Sequence, residues 1–298
     1  MARILVTGAG GFLGRYAVAA LREAGWTVIG TGRSAPAADG LHETFAADLL
    51  QQNATQQLLD RAKADVLLHL AWFDDASTRW HAVDNLAWVA ATLNLIQNFA
   101  AAGGKRVVFG SSCAVYDFSA RSLHKETDMI APQSLYGEAK ASTGRLITVA
   151  QKMLGLTFAE ARIFFCYGAG EPSPRLVPDL IKGLSQGESV ACTDGVQKRD
   201  YLHASDVGRA LQLLAASNIT GPVNIASGQS LPVSHLIREV AKQMHHPDLP
   251  QLGAIARPVT DPPEITADIN RLHQLGFRPQ HNLVSGVTKT LLQSSIQA

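Results

Sequence analysis

A tyrosine and a lysine in the segment YGEAK form a pair that could move a proton. Tyr136 and Lys140 stand four residues apart in a stretch that predicts a helix, so the two side chains share one face. An ammonium beside a phenol favours the phenolate and lowers the phenol pKa from about 10. Such a phenol can exchange a proton with a carbonyl or an alcohol oxygen. Taken alone, however, a tyrosine and a lysine at this spacing are usually an ordinary surface pair.

A serine upstream of this pair strengthens the catalytic interpretation. Ser112 follows the apolar run 106–110, which predicts a buried strand. Its hydroxyl could donate a hydrogen bond to the same substrate oxygen that Tyr136 protonates. We therefore predict that Ser112, Tyr136 and Lys140 act together on a carbonyl or an alcohol.

A glycine-rich segment near the start of the chain predicts a dinucleotide site. In TGAGGFLG, Gly8, Gly11 and Gly14 lie between an apolar run at 4–6 and a stretch of helical spacing at 12–24. Glycine is needed where the backbone turns tightly and where it approaches a pyrophosphate, and a helix N-terminus attracts phosphate. The alternative is a glycine-rich turn without a ligand. With the Ser/Tyr/Lys set, the segment favours hydride transfer with a nicotinamide cofactor.

The end of the second predicted strand favours NADP(H) over NAD. An NAD site usually has an acidic residue there for the ribose 2′-OH, but this chain has Gly32 followed by Arg33. A guanidinium suits a 2′-phosphate, and Arg15 could add a second charge. The alternative is that Arg33 points into water. The predicted cofactor contacts are Gly8, Gly11, Phe12, Leu13, Gly14, Arg15, Arg33, Asp48 (on the adenine), Leu49, Leu70, Ala71, Tyr136 and Lys140.

Strands and helices that alternate along the chain must position these residues. Apolar runs predict further strands at 27–31, 43–46 and 66–71, and helical spacing covers 80–102. This alternation predicts an α/β fold with a Rossmann-type doubly wound parallel sheet. The sequence beyond about 165 is irregular and predicts a smaller, interleaved C-terminal substrate-binding lobe. We expect a cofactor domain at 1–165 with a segment near 200–228 returning to it, including a strand at 223–226, and a substrate lobe at 166–298.

Composition narrows the classes of function. The chain has 26 basic and 25 acidic residues, a net charge of +1 and no long run of charge, so we expect no nucleic-acid or membrane-surface partner. The cysteines Cys113, Cys166 and Cys192 lie far apart, which predicts no disulfide framework and no metal site. The apolar runs are too short to span a bilayer. These features predict a soluble, cytoplasmic protein.

Several motifs together resemble the extended short-chain dehydrogenase/reductase family, in its nucleotide-sugar branch. They are TGAGGFLGR, HLAW, SSCAVY, YGEAK and RDYLHASDV. The resemblance implies that Ser112, Tyr136 and Lys140 are catalytic and that Lys140 also holds the nicotinamide ribose. It favours Ser112 over Ser111, because the family serine lies four residues before the tyrosine at Tyr116. It also implies a homodimer through a four-helix bundle, here from the segments 86–102 and 137–153.

Residues after the serine separate the reactions of this family. A 4,6-dehydratase would have Asp-Glu where this chain has Cys113 and Ala114. An epimerase-reductase of the GDP-fucose synthase kind would have cysteine at Ala114 and histidine near Arg175. We therefore predict NADPH-dependent reduction of the 4-keto group of a nucleotide-linked deoxy sugar. The alternatives are a nucleotide-sugar 4-epimerase, an NADPH-dependent reductase of a non-sugar carbonyl, and a non-enzymatic NADP(H)-sensing protein.

The C-terminal half contains the predicted substrate contacts. The segment GVQKRDYLHASDV resembles the family segment whose arginine, here Arg199, binds the substrate diphosphate. An internal ion pair with Asp200 or Asp206 is the alternative. The predicted substrate-binding residues are Ser112, Cys113, Arg175, Arg199 and Arg257. One departure is Phe165, which occupies the position of the family asparagine that contacts substrate phosphate.

Overall fold

The computed structural model describes residues 2–51 and 53–297, and its strands and helices alternate as predicted. In chain order the strands are β1 (Arg3–Thr7), β2 (Thr27–Gly32), β3 (Glu43–Ala46), β4 (Val66–His69), β5 (Arg106–Ser112), β6 (Leu123–His124), β7 (Thr157–Ile163), β8 (Phe165–Tyr167), β9 (Val190–Cys192), β10 (Lys198–His203), β11 (Gly221–Ile225), β12 (Ser230–Pro232), β13 (Pro250–Leu252) and β14 (Glu264–Ala267). The helices are α1 (Phe12–Glu23), α2 (Ala54–Ala62), α3 (Asp84–Ala101), α4 (Leu135–Ala150), α5 (Leu176–Ser185), α6 (Ala204–Ala216), α7 (Val233–Gln243), α8 (Asn270–Gln274) and α9 (Leu283–Gln297).

The main sheet is parallel throughout and confirms the Rossmann-type prediction. Its strand order is β11-β7-β5-β4-β1-β2-β3 within the described part of the chain, and each neighbouring pair is parallel. The order reverses between β1 and β4, which is where ligands of such sheets bind. The predicted returning strand is β11, which pairs with β7 at the edge of this sheet.

Helices cover both faces of the main sheet, which explains why the middle positions of its central strands are apolar on both sides. In β1, Ile4 and Val6 face one core, to which α1 and α6 contribute Leu21 and Leu211. The intervening Leu5 faces the second core, shared with Phe99 of α3. Successive side chains of a strand point to opposite faces, so a short apolar run such as Ile4–Val6 serves both cores.

A smaller lobe follows the main sheet and is interleaved with it. Its sheet has the order β12-β10-β14-β6, with β8 pairing β10, and β9 pairs separately with β13. Leu180 of α5 and Leu236 of α7 lie in the core of this lobe. Within the residues that the structure describes, no helix combines the length and the apolar character needed to cross a bilayer.

Several predicted boundaries differ from the observed ones, and three of the differences bear on the site. Strand β4 ends at His69 rather than residue 71, because the N–H groups of the next two residues donate to the Thr7 hydroxyl at 3.1 Å each. Helix α3 begins at Asp84 rather than residue 80, after a turn in which the N–H of Ser77 donates to Asp75 at 2.9 Å. Strand β5 continues to Ser112, so the predicted catalytic serine is the last residue of the strand rather than a residue beyond it.

Candidate active site

A cleft opens at the carboxyl ends of β1, β4 and β5, where the strand order of the sheet reverses. The described residues that line it come from the glycine-rich segment, the segment after β4, the end of β5, the start of α4 and the segment 163–175. They are Gly8, Gly11, Phe12, Leu13, Gly14, Leu70, Ala71, Trp72, Phe73, Asp74, Arg79, Trp80, Gly110, Ser111, Ser112, Tyr136, Lys140, Ile163, Phe164, Cys166 and Arg175. The cleft thus brings the predicted catalytic set together with the glycine-rich turn.

The glycine-rich turn has the geometry that a dinucleotide requires. Gly8 has φ +68°, and a Cβ there would lie 3.0 Å from the backbone nitrogen of Ala71. A Cβ at Gly14 would overlap the carbonyl group of Gly8. Helix α1 begins at Phe12, and the residue before it is Gly11, which has no side chain to cap the first N–H groups. The uncapped end of α1 therefore fits a pyrophosphate.

The other predicted cofactor residues lie around this turn at different depths. Phe12, Leu13, Leu70 and Ala71 line the cleft. Arg33 is exposed one residue after the end of β2, and Leu49 is buried with 6% of its surface accessible. Asp48 accepts a hydrogen bond from the N–H of Leu50 at 3.1 Å. Arg15 packs its guanidinium against Gly170. The contacts of Arg15, Arg33, Asp48 and Leu49 with a cofactor stay predictions.

Tyr136 and Ser112 are placed by the start of α4 and the end of β5. The Ser134 hydroxyl caps α4 by accepting from the N–H of Gly137 at 3.1 Å, which fixes the helix start beside Tyr136. The Ser112 hydroxyl accepts from the N–H of Ala114 at 3.2 Å and lies near the Tyr136 phenol. Both side chains face the cleft.

Lys140 is buried under the cleft floor. Its ammonium donates to the carbonyl of Gly110 at 2.7 Å and lies 3.8 Å from the centre of the Trp72 ring and 4.7 Å from that of Phe109. It lies 5.9 Å from the centre of the Tyr136 ring. Burial lowers the pKa of Lys140 well below its usual value, and the carboxylates of Asp74 and Glu160 oppose this.

The sequence predicted that the pKa of Tyr136 is lowered, and the direction of this shift is wrong. Burial raises the pKa of the phenol above 10 rather than lowering it. The largest opposing influence is the guanidinium of Arg79, followed by the Ser112 hydroxyl. Desolvation was not visible in the sequence, because Trp80, whose ring packs against that of Tyr136, comes from a segment of irregular pattern.

Four charged side chains lie together beside Tyr136. Asp74 pairs with Arg79 at 3.3 Å and with Arg175 at 2.9 Å, and Arg175 also lies 3.7 Å from Glu171. Glu171 is 7% exposed, and burial raises its pKa to about 7 against the opposing charges of both arginines. Arg175 lines the cleft, so the structure places this predicted substrate residue near the catalytic set.

The predicted substrate residues Arg199 and Arg257 lie outside the lining of this cleft. Arg199 is 5% exposed, pairs with Asp261 and donates to the carbonyl of Pro262 at 2.9 Å, so its partner is neither Asp200 nor Asp206. Arg257 pairs with Asp194 at 3.4 Å.

Cys113 and Phe165 have mainly packing contacts. Burial raises the pKa of the Cys113 thiol to about 12, and the side chain lies within the core rather than in the cleft lining. Its contact with a substrate stays a prediction. The Phe165 ring packs 5.9 Å from that of Tyr201 and 5.5 Å from the guanidinium carbon of Arg199.

Sequence reasoning missed two charged residues of the cleft. Asp74 and Arg79 lie in DDASTRW, which begins five residues after the end of β4. The sequence did contain a signal for these residues. Charged residues follow β4, one of the two strands between which the strand order reverses, and ligands bind beyond the ends of such strands. Within residues 2–51 and 53–297, no cluster of three or more His, Cys, Asp or Glu side chains could hold a metal ion.

Comparison with known proteins identifies the family. Residues 4–226 match the model of the NAD dependent epimerase/dehydratase family, which is more than half of the chain. The chain belongs to this family. This membership confirms two predictions made from the motifs: the Rossmann-type fold and the nucleotide-sugar branch of the family.

Relatives in this family span nearly the whole chain. The chain is 26% identical to a UDP-glucose 4-epimerase of Lacticaseibacillus casei over 96% of its length and 95% of the relative. It is 28% identical to a UDP-glucose 4-epimerase of Azospirillum brasilense, over 97% of this chain and 91% of the relative. It is also 26% identical to UDP-glucuronic acid decarboxylase 6 of Arabidopsis thaliana, over 96% of this chain and 86% of the relative.

Solved structures of family members superpose closely. MoeE5 in complex with UDP-glucuronic acid and NAD has a TM-score of 0.85 and 29% identity, over 99% of this chain and 100% of that one. The UDP-glucose 4-epimerase of Thermotoga maritima, solved with UDP-glucose, has a TM-score of 0.88 over 99% of both chains at 24% identity, which shows the shared fold.

Proposed function

We propose that this chain is an NAD-dependent 4-epimerase of a nucleotide-linked sugar. The observation that carries this proposal is the cleft that places Ser112, Tyr136 and Lys140 opposite the glycine-rich turn. A 4-epimerase needs only this set, because one group removes and returns the proton of a single hydroxyl. UDP-glucose 4-epimerases among the relatives support this alternative over the predicted 4-keto reductase.

In the proposed reaction the chain moves a proton while the cofactor moves a hydride. A nicotinamide dinucleotide held at the glycine-rich turn would supply reversible hydride transfer at C4 of the sugar. Tyr136, as phenolate, takes the proton of the 4-hydroxyl during oxidation and gives it back during reduction. Ser112 donates a hydrogen bond to the same oxygen. Lys140 holds a positive charge below the phenolate.

The cofactor proposal rests on the glycine-rich turn and on the relatives. The crowding around Gly8 and Gly14 supports a turn that fits a dinucleotide pyrophosphate. MoeE5 and the family name point to NAD. NADP(H) remains the second candidate, because Gly32 at the end of β2 provides no carboxylate for a ribose hydroxyl and Arg33 next to it is exposed. With NADPH, net reduction of a 4-keto sugar is the reaction we would expect instead.

Product analysis tests this function directly. Purified protein with added NAD is incubated with UDP-glucose, UDP-N-acetylglucosamine or UDP-glucuronic acid, and proton NMR follows the appearance of the C4 epimer. We expect one of these sugars to reach an equilibrium mixture without net change in NADH absorbance. Net consumption of NADPH by a 4-keto sugar, with no epimer formed, would support the reductase instead. Tyr136→Phe serves as the inactive control.

Of the predicted substrate arginines, we propose Arg175 as a direct contact of the nucleotide sugar. It lines the cleft, and one-fifth of its side chain is exposed. A guanidinium fork matches carboxylate or phosphate oxygens. Arg199 and Arg257, whose charges are paired with Asp261 and Asp194, remain predicted diphosphate contacts.

We also propose that two copies associate through α3 and α4. These helices pack against each other, and their outer faces expose Leu86, Leu146 and Val149 by 52–71%. Met153, which follows the end of α4, is 78% exposed. A large exposed apolar patch commonly marks a protein interface. Light scattering on the purified protein should give twice the chain mass of 31.8 kDa. A monomer at micromolar concentration would contradict this assembly.

A further inference from the structure

Two cations lie at nearly the same distance from the ring of Tyr136. The ammonium of Lys140 is 5.9 Å from the ring centre, and the guanidinium carbon of Arg79 is 5.8 Å from it. Lys140 belongs to the catalytic set that the sequence predicted. Arg79 belongs to the irregular segment after β4 and also lines the cleft.

Lys140 is poorly suited to control the charge of Tyr136 alone. The residue is 3% exposed, and its ammonium donates to the Gly110 carbonyl and packs against the Trp72 and Phe109 rings. Burial of this kind disfavours the charged form of an amine. A guanidinium, in contrast, keeps its charge in proteins at all ordinary pH values. Arg79 therefore provides a second positive charge near the phenol.

Arg79 is held in place relative to Tyr136 by several contacts. Its guanidinium lies over the Trp80 ring at 4.9 Å, and that ring meets the Tyr136 ring edge-on at 5.6 Å. The backbone N–H of Tyr136 donates to the Trp80 carbonyl at 3.2 Å. Asp74 pairs with the guanidinium at 3.3 Å. The segment that contains Arg79 is thus attached to the start of α4, and its charge cannot drift far from the phenol.

We infer that Arg79 is a positioning residue whose guanidinium favours the charged, proton-accepting form of Tyr136, and that Asp74 limits this effect by pairing with it. The inference deepens the proposed function and rests on it, since it assigns a second cation to the same proton-transfer step. It explains how a phenol that burial disfavours as an anion becomes a base. The other groups near the phenol are the Ser112 hydroxyl and the Cys113 thiol. Arg175 and Glu171 lie behind Asp74.

The experiment measures the Tyr136 phenol itself. Protein labelled with ¹³C at the tyrosine Cζ has five signals, because the chain has five tyrosines, and Tyr136→Phe identifies the relevant one. Its chemical shift, followed from pH 7 to 12 without and with NAD, reports ionisation. Arg79→Gln removes the positive charge at position 79, and Arg79→Lys keeps it. Asp74→Asn removes the carboxylate that pairs with the Arg79 guanidinium. Lys105→Gln is the control, because Lys105 is an exposed cation paired with Asp65.

The variants should move the Tyr136 pKa in opposite directions. Arg79→Gln should raise it by about one unit, since an opposite charge within about 6 Å shifts a pKa by roughly one to three units and Arg79 is partly neutralised. Arg79→Lys should restore most of the difference, and Asp74→Asn should lower the pKa. Lys105→Gln should leave it unchanged. The acidic limb of kcat/KM should follow the same order.

The inference is overturned if Arg79→Gln and the unsubstituted protein give the same Tyr136 titration, or if Asp74→Asn raises the pKa. The Asp74 variant keeps the guanidinium, so it tests the inference even if Arg79→Gln disorders the segment. Failure of the proposed function looks different: no nucleotide sugar is converted, while the NMR titration still shifts with the charge at position 79.

Discussion

The ammonium of Lys140 lies 3.8 Å from the centre of the Trp72 ring. The indole is fixed in turn, because its N–H donates to Asn85 at 2.8 Å. An aromatic face attracts a cation, and the attraction grows to about 2 kcal/mol when the pair is desolvated. The Trp72 ring thus offsets part of the free energy that the ammonium loses when it is removed from water. The protonation of Lys140 therefore depends on Trp72.

Replacing this ring should change the pH dependence of turnover. Without the π face, Trp72→Leu should lower the pKa of Lys140 further, because burial already lowers it. The alkaline limb of kcat should then move down by up to about one pH unit, given about 1.4 kcal/mol per unit. Trp72→Phe keeps a π face and should shift the limb less. Identical pH profiles for both variants would show that the ring does not support the ammonium.

Removing the phenol hydroxyl should abolish turnover without loss of cofactor binding. Tyr136→Phe takes away the proton-transfer group, which contributes about 10²–10⁴-fold to such reactions. Ser112→Ala removes only a hydrogen bond and should cost less. Initial rates and nicotinamide fluorescence titrations on the two variants check both statements. Turnover retained in Tyr136→Phe would remove this residue as the proton donor.

The arginine after β2 provides a test of cofactor choice. If Arg33 binds a 2′-phosphate, Arg33→Ala should weaken NADPH binding by about 10–100-fold, the value of a charge-assisted hydrogen bond, and leave NADH binding nearly unchanged. Arg22→Ala, on α1, is a control for general loss of positive charge. An equal effect on both cofactors would leave NAD as the physiological choice. Fluorescence titrations with each reduced cofactor give the dissociation constants.

A buried histidine should make the fold sensitive to acid. His69 is 1% exposed and is bonded to Thr7 at 2.7 Å and Thr92 at 2.9 Å, and burial lowers its pKa to about 3. In the unfolded chain its pKa is about 6.5, so the unfolded state binds the proton first as the pH falls. The stability that neutral His69 contributes is present above pH 6.5 and is lost progressively as the pH falls towards 3.

Urea unfolding at pH 7.5 and pH 5 measures this loss. The free energy of unfolding should decrease by up to about 1.4 kcal/mol per pH unit from this group below pH 6.5. His69→Asn should be less stable at pH 7.5 but should lose less on acidification. His203, whose pKa burial lowers to about 4, contributes in the same direction and remains in both proteins. Equal pH dependence of the two proteins would contradict the role of His69.

The predictable parts of this molecule are those with local patterns. The turn around Gly8 and the catalytic pair on α4 follow from short-range spacing, because a tight turn needs glycine and a helix aligns residues four apart. The network around Asp74 could not be predicted in this way. Its ion pair joins residues 101 positions apart, and the partner of Arg199 is 62 positions away. Such pairs depend on the path of loops, which carry no periodic pattern.

The pairing of β11 with β7, and of β6 with β14, has a consequence for any attempt to divide this protein. A cut near residue 165 would strip the amino-terminal piece of an edge strand and leave its row of N–H and C=O groups facing water. The carboxyl-terminal piece would lose the strand beside β14. Each fragment would therefore expose an unpaired strand edge, with which other chains could pair. Co-expression of both pieces should rescue solubility that neither attains alone.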